Sequence, residues 1–252
     1  MRLLILPVLF FTVSSAFAQV TGGVHTKLMD LYVMGDFEKC AQKAESLTES
    51  DKTKNESEPY LYMAMCMKKI SEDPELSQLE EYKKATKDMM KLAGKFKKKD
   101  DKLKSKGKDY LYDQNIETVY EFIQVGAEAG FQYYVQNDFN KAKYFYDLAY
   151  KLDPSENSVK IMYGLASINY GIKEGQAMID EAMENFKVAA AGGGYSSRTE
   201  TAQTFEHAFI YYTDFLMANN RTSDAEKVIQ LARELDAENE RFKKKYQEVY
   251  GS

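Results

Sequence analysis

The chain has 252 residues, 44% hydrophobic and 29% charged, enough apolar material for a packed core in one elongated domain or two small ones. Its formal net charge is -5 and its pI lies near 5.3, so no overall positive field draws it to nucleic acid or to an anionic membrane surface. Rings are abundant, with 19 Tyr and 14 Phe but no Trp, and such rings suit the seams between packed helices.

Residues 1–18 read as a separate unit. Arg2 supplies a short positive start, Leu3 to Phe11 is apolar apart from Pro7, and Ala16-Phe17-Ala18 places small residues at a cleavage position before Gln19. That pattern predicts a secretory signal peptide, because the apolar run is too short to span a bilayer. The remainder, 19–252, is then an exported domain. No later window is apolar enough to predict a transmembrane helix.

The first predicted helix pair turns at Gly35-Asp36-Phe37, where Asp36 is placed to cap the second helix. A second pair follows, with a Met-rich helix over Tyr60 to Ile70 and a partner over about Gln78 to Lys95, in which Ala85, Met89 and Leu92 are spaced four and then three apart. Cys40 and Cys66 fall in neighbouring predicted helices. In an oxidising compartment they are candidates for a disulfide; otherwise they are small buried apolar residues. Met63, Met65 and Met67 do not share one helix face, so they read as core filling more readily than as a soft-metal site.

Nine lysines crowd residues 91–108, with two glycines and little apolar content. This reads as a solvated helix end running into a mobile Lys-rich segment at about 95–108, with an anion contact as the functional alternative. Residues 109–136 are predicted as one long helix, or as two meeting near Gly126 in a sixth, half-formed hairpin.

From Gly130 the chain reads G-F-Q-Y-Y-V-Q-N-D-F-N-K-A-K-Y-F-Y-D-L-A-Y-K-L-D-P. Gly130 and Tyr133 lie three apart, Ala142 and Tyr146 four apart, and Ala149 and Pro154 follow. The segment resembles a tetratricopeptide repeat, in which a helix pair too small to bury its apolar face alone stacks on its neighbours. Weaker copies follow. One pairs Asn157 to Tyr170 with about Gln176 to Ala190, and a last one contains Ala225, Ile229 and Ala232. Glu238 to Tyr250 places Phe242, Tyr246 and Val249 on one face and reads as a capping helix. The fold class expected is all-α, a right-handed superhelical solenoid of about five hairpins plus that cap.

Catalytic chemistry finds little support. His25 and His207 are the only histidines; His25 has no Cys or His at ligand spacing, His207 sits beside Glu206 on a helix with Phe205, Phe209 and Tyr212, and no nucleotide, hydrolase or calcium-binding motif occurs. Gly192-Gly193-Gly194 lacks the following Lys and Ser/Thr of a phosphate loop and reads as a connector. No enzyme activity, cofactor or metal is predicted.

The family resemblance implies that partners lie along the concave face lined by the first helix of each pair. On this chain that face carries Gln124, Phe131 and Tyr134, then Asn169, then His207 and Asp214. Its apolar character departs from the family's Lys, Arg and Asn clamp for acidic chain ends. For Phe131 and Tyr134, packing between repeats is the equal alternative. The function expected is an exported scaffold or adaptor in a periplasmic or cell-envelope assembly, holding a peptide segment of another protein and near a membrane only by proximity. The alternative is a carrier or sensor for a small ligand, glycan or peptidoglycan.

Overall fold

The computed structural model describes residues 20–193 and 195–251, so the expected leader and Gly194 lie outside the described residues. Eleven α-helices follow one another there, with no strand: α1 Thr26–Val33, α2 Phe37–Glu49, α3 Glu58–Glu72, α4 Ala85–Lys104, α5 Ile116–Val135, α6 Phe139–Leu152, α7 Asn157–Asn169, α8 Gly175–Ala191, α9 Ala202–Ala218, α10 Thr222–Leu235 and α11 Glu240–Tyr250. They pack in adjacent pairs, α1 with α2 through α9 with α10, and α11 covers the last pair. The protein is a tetratricopeptide-like helical solenoid.

Four of the five turns share one local device. The first helix of the pair ends in a left-handed residue, at Gly35 (φ 81), Asn137 (φ 60), Gly171 (φ 98) and Asn220 (φ 57). The next backbone N–H then reaches back to the final turn: Asp36 to Leu31 O at 3.0 Å, Asp138 to Tyr133 O at 3.0 Å, Ile172 to Ser167 O at 2.8 Å and Arg221 to Leu216 O at 2.9 Å. Gly and Asn are the residues that tolerate this conformation, which satisfies carbonyls left open at a helix end and reverses the chain within two residues. Asp138 then accepts a hydrogen bond from Lys141 N and caps α6. Asp36 does not cap α2; its carboxylate takes Lys39 Nζ at 3.1 Å instead.

Small residues set how closely the helices approach. Ala142 and Ala149 are fully buried, and a Cβ at Gly130 would stand 3.1 Å from the ring of Tyr146. At Gly126 a Cβ would meet Met90 Cε at 2.4 Å, so α5 passes close against α4 as one unbroken helix. The sixth half-hairpin considered for residues 109–136 does not form.

The second pair departs most from the sequence pattern. Asp73 Oδ1 accepts from the N–H groups of Glu75 and Leu76, both at 2.8 Å, and turns the chain after α3. Two 3-10 turns, Leu76–Gln78 and Glu80–Tyr82, follow, so α4 starts at Ala85 and not near Gln78. At its other end α4 runs on to Lys104, through much of the Lys-rich stretch expected to be a loop. Phe96 and Asp100 explain this, since both are buried among the lysines. Asp100 accepts from Ser57 Oγ at 2.6 Å, from Leu111 N at 2.9 Å and from Tyr112 N at 2.7 Å. A buried carboxylate needs such donors, and each charge-assisted bond is worth roughly 1.5–3 kcal/mol.

Two further contacts bear on overall shape. Before α1, Thr21 exchanges hydrogen bonds with Asn115, N to Oδ1 at 2.8 Å and Nδ2 to O at 3.0 Å, while Val24 N and His25 N donate to Glu58 at 2.7 and 3.0 Å. Before α9, Arg198 lies 4.1 Å from the centre of the Tyr120 ring and pairs with Glu117 at 3.1 Å. The chain leading into α9 therefore folds back onto α5 and narrows the inner face.

Candidate functional site

The inner face is crossed by rings. Phe131 of α5 stacks on His207 of α9 with centroids 3.7 Å apart and planes 14° apart. Tyr211, one turn beyond His207, meets Phe131 edge-on at 5.4 Å and Tyr134 at 5.5 Å. These four rings bridge the third and fifth hairpins. They leave a cavity on either side, one of about 360 Å³ and one of about 710 Å³.

All six residues expected at the site line one or other cavity. Gln124, Phe131 and His207 face the smaller, and Tyr134, Asn169 and Asp214 the larger. Their roles differ from a uniformly open surface. Tyr134 and His207 are 8% and 5% exposed and belong to the bridge, so the packing reading holds for Tyr134. Phe131 is half-buried. Gln124 donates to Glu128 on its own helix at 2.9 Å. Asn169 is exposed and donates to the Tyr134 hydroxyl at 3.1 Å. Asp214 is exposed and pairs with Lys245 of α11 at 3.0 Å, tying the cap to the groove wall. Ile161 and Leu165, at four-residue steps before Asn169, and Ile210, between His207 and Asp214, are buried core.

Burial sets the electrostatics here. It pushes the Tyr134 hydroxyl up to about 12, although the Asn169 amide works in the other direction. Burial, and then the nearby Arg241, bring His207 down to about 4, so its ring is neutral at physiological pH. Behind the bridge the buried Tyr146 hydroxyl has no hydrogen-bond partner among the described residues.

The larger cavity is the more open to a ligand. Phe139, Ile168, Tyr211 and Phe215 supply apolar wall, and Asn137, Asn169 and Asn219 supply amides. Sequence reasoning missed Tyr211 and Phe215, although Tyr211 lies four residues after His207 on the same helix face, a spacing that was available as a signal. Phe139 reaches the groove from the second helix of its pair and meets Tyr134 at 5.4 Å, which first-helix bookkeeping does not reveal.

The remaining candidates lie elsewhere. Cys40 and Cys66 meet across the α2–α3 contact as two free, buried thiols; Cys40 Sγ donates to Leu28 O at 3.4 Å. The Cys66 thiol is held well above its ordinary value by its hydrogen bond with Cys40 and by burial. His25 Nε2 lies 2.6 Å from Glu56 Oε2. Met65 is buried, and Met63 and Met67 pack partly buried against the core. Among the described residues no group of three or more His, Cys, Asp or Glu is placed to hold a metal, and no helix is long and apolar enough to cross a membrane.

No protein-family model matches the chain, and no curated protein sequence matches it. Among solved structures it is similar to the C-terminal part of a TPR repeat-containing protein from Cytophaga hutchinsonii, at 15% identity and a TM-score of 0.30 over 87% of this chain and 98% of that one. A likeness that loose carries no weight for function; the helix pairs and their shared turns stand on the chain's own geometry.

Proposed function

We propose that this protein is an exported scaffold or adaptor that holds a peptide segment of another protein, within a periplasmic or cell-envelope assembly. The observation that carries the reading is the larger inner cavity, about 710 Å³ with apolar walls and asparagine amides. An extended or helical segment needs that combination, apolar pockets for its side chains and amides for its backbone groups. Export rests on the leader pattern in residues 1–18.

A glycan or peptidoglycan carrier would need tyrosine faces open to a sugar ring. Tyr134 is buried and packs against Phe139 and Tyr211, which favours the peptide reading. Val135 offers the test, because it lines the cavity yet is 45% exposed, so a charge placed there leaves the core intact. With a photo-crosslinker at Asn169, the wild-type protein should capture a defined polypeptide in the envelope of its host, and Val135→Arg should abolish that adduct while helicity is unchanged. An adduct of equal yield in the variant, or saturable glycan binding with no polypeptide captured, would overturn the reading. Intact-mass analysis of the exported protein should show loss of residues 1–18; a mass retaining them removes the export claim.

A further inference from the structure

A second groove, of about 790 Å³, lies between the start of α4 and the facing sides of α5 and α6. It adjoins the smaller inner cavity through Thr86, Ala129 and Gln132, but Tyr133 and Gln136 turn away from Phe131 and Val135 at about 100° per residue, and the groove shares no lining residue with the larger cavity. Lys83, Lys84, Lys87 and Lys141 line it, and no carboxylate does. In a chain of net charge -5 this is a local reversal of sign. Lys83 and Lys141 are partly neutralised by Glu80 and Asp138, each three residues away on its own segment. Lys84 and Lys87 have no ion-pair partner among the described residues. Asp88 and Asp147 lie outside the lining, near enough to act on the Tyr144 hydroxyl.

The rings in this groove are occupied by the protein's own cations. Lys87 Nζ sits 5.2 Å from the centre of Tyr144, and Lys141 Nζ 5.0 Å from that of Tyr133. Such contacts restrain two otherwise floppy ammonium groups, so less side-chain entropy is lost when an anion binds. They also cover the ring faces that a sugar would stack on. What remains on offer is positive charge and three amides, Gln132, Gln136 and Asn140. Gln132 and Gln136 are one helical turn apart, and their amides both donate and accept, as the N–H and C=O groups of an extended backbone require.

We infer that this groove binds an acidic, extended peptide segment, with its carboxylates on Lys84 and Lys87 and its backbone along the Gln132, Gln136 and Asn140 amides. Acidic polysaccharide shares the charge but finds no open aromatic face. The probe is a fluorescein-labelled decaglutamate peptide, titrated with the purified protein by anisotropy at low and at physiological salt. Saturable binding is expected that weakens with salt and falls about tenfold in Lys84→Gln/Lys87→Gln. The matched pair Lys98→Gln/Lys102→Gln, on the exposed far half of α4, should bind as wild type. Equal losses in the two pairs would mean a diffuse field and no site. Tighter displacement by polygalacturonate than by unlabelled peptide would assign the groove to polysaccharide, and the absence of saturable binding would remove it. Val135→Arg should leave this binding untouched, so the inner-face reading and this one fail separately.

Discussion

His207 shows how burial fixes a chemical role at the scale of one residue. Its ring is neutral in the folded chain, with a pKa near 4, whereas an exposed imidazole titrates near 6.5. Protonation therefore favours the unfolded chain. The stabilisation is complete above the unfolded value and is lost as pH falls from about 6.5 towards 4, a difference of up to about 3 kcal/mol. His207→Phe keeps a ring against Phe131 and removes that term. Urea unfolding at neutral and at acid pH should show the wild type losing about 3 kcal/mol more than the variant over the same interval. Parallel losses would mean that the ring is not buried as described. Phe205, Phe209 and Tyr212 stand near His207 in the sequence, which marks its helix as rich in rings. The sequence did not reveal the stacking partner, because Phe131 is distant in the chain and only the return of the segment before α9 onto α5 brings the two together.

Among the elements, legibility followed locality. Repeat turns depend on two or three adjacent residues, so Gly35-Asp36-Phe37 and Asn137-Asp138-Phe139 could be recognised from the sequence alone. The extent of α4 could not, because Phe96 and Asp100 hold it through contacts with Ser57, Leu111 and Tyr112, and the surrounding lysines conceal them in any compositional average. Helix crossings are tested by Ala142→Leu. Ala142 is fully buried where α6 packs on its neighbours, and the larger side chain should cost about 1–3 kcal/mol through overpacking. Thermal unfolding followed by circular dichroism should show a lower midpoint with native helicity at room temperature. An unchanged midpoint would mean that the register of the third hairpin is wrong.

For the molecule as a whole, the two ends are closed differently. At the C-terminal end Phe242 of α11 is fully buried, with ring centres 5.6 Å from Phe205 and 5.9 Å from Phe209. A solenoid needs such a lid because its last hairpin otherwise offers an apolar face to water. Phe242→Ala should cost about 3–5 kcal/mol and should raise binding of an apolar dye as Phe205 and Phe209 become accessible. A variant with wild-type stability and no added dye binding would leave α11 without its lid role.

At the N-terminal end closure comes from the clasp that joins Thr21 to Asn115 and Val24 and His25 to Glu58. In a simple stack the outermost repeat contacts only its neighbour and can fray independently. Here the residues just before α1 reach past the first pair to the second and to the threshold of the third. Pulling on this end would load several hairpins in parallel, so detachment of the leading repeat would proceed as a shared rupture and not as a sequential unzipping.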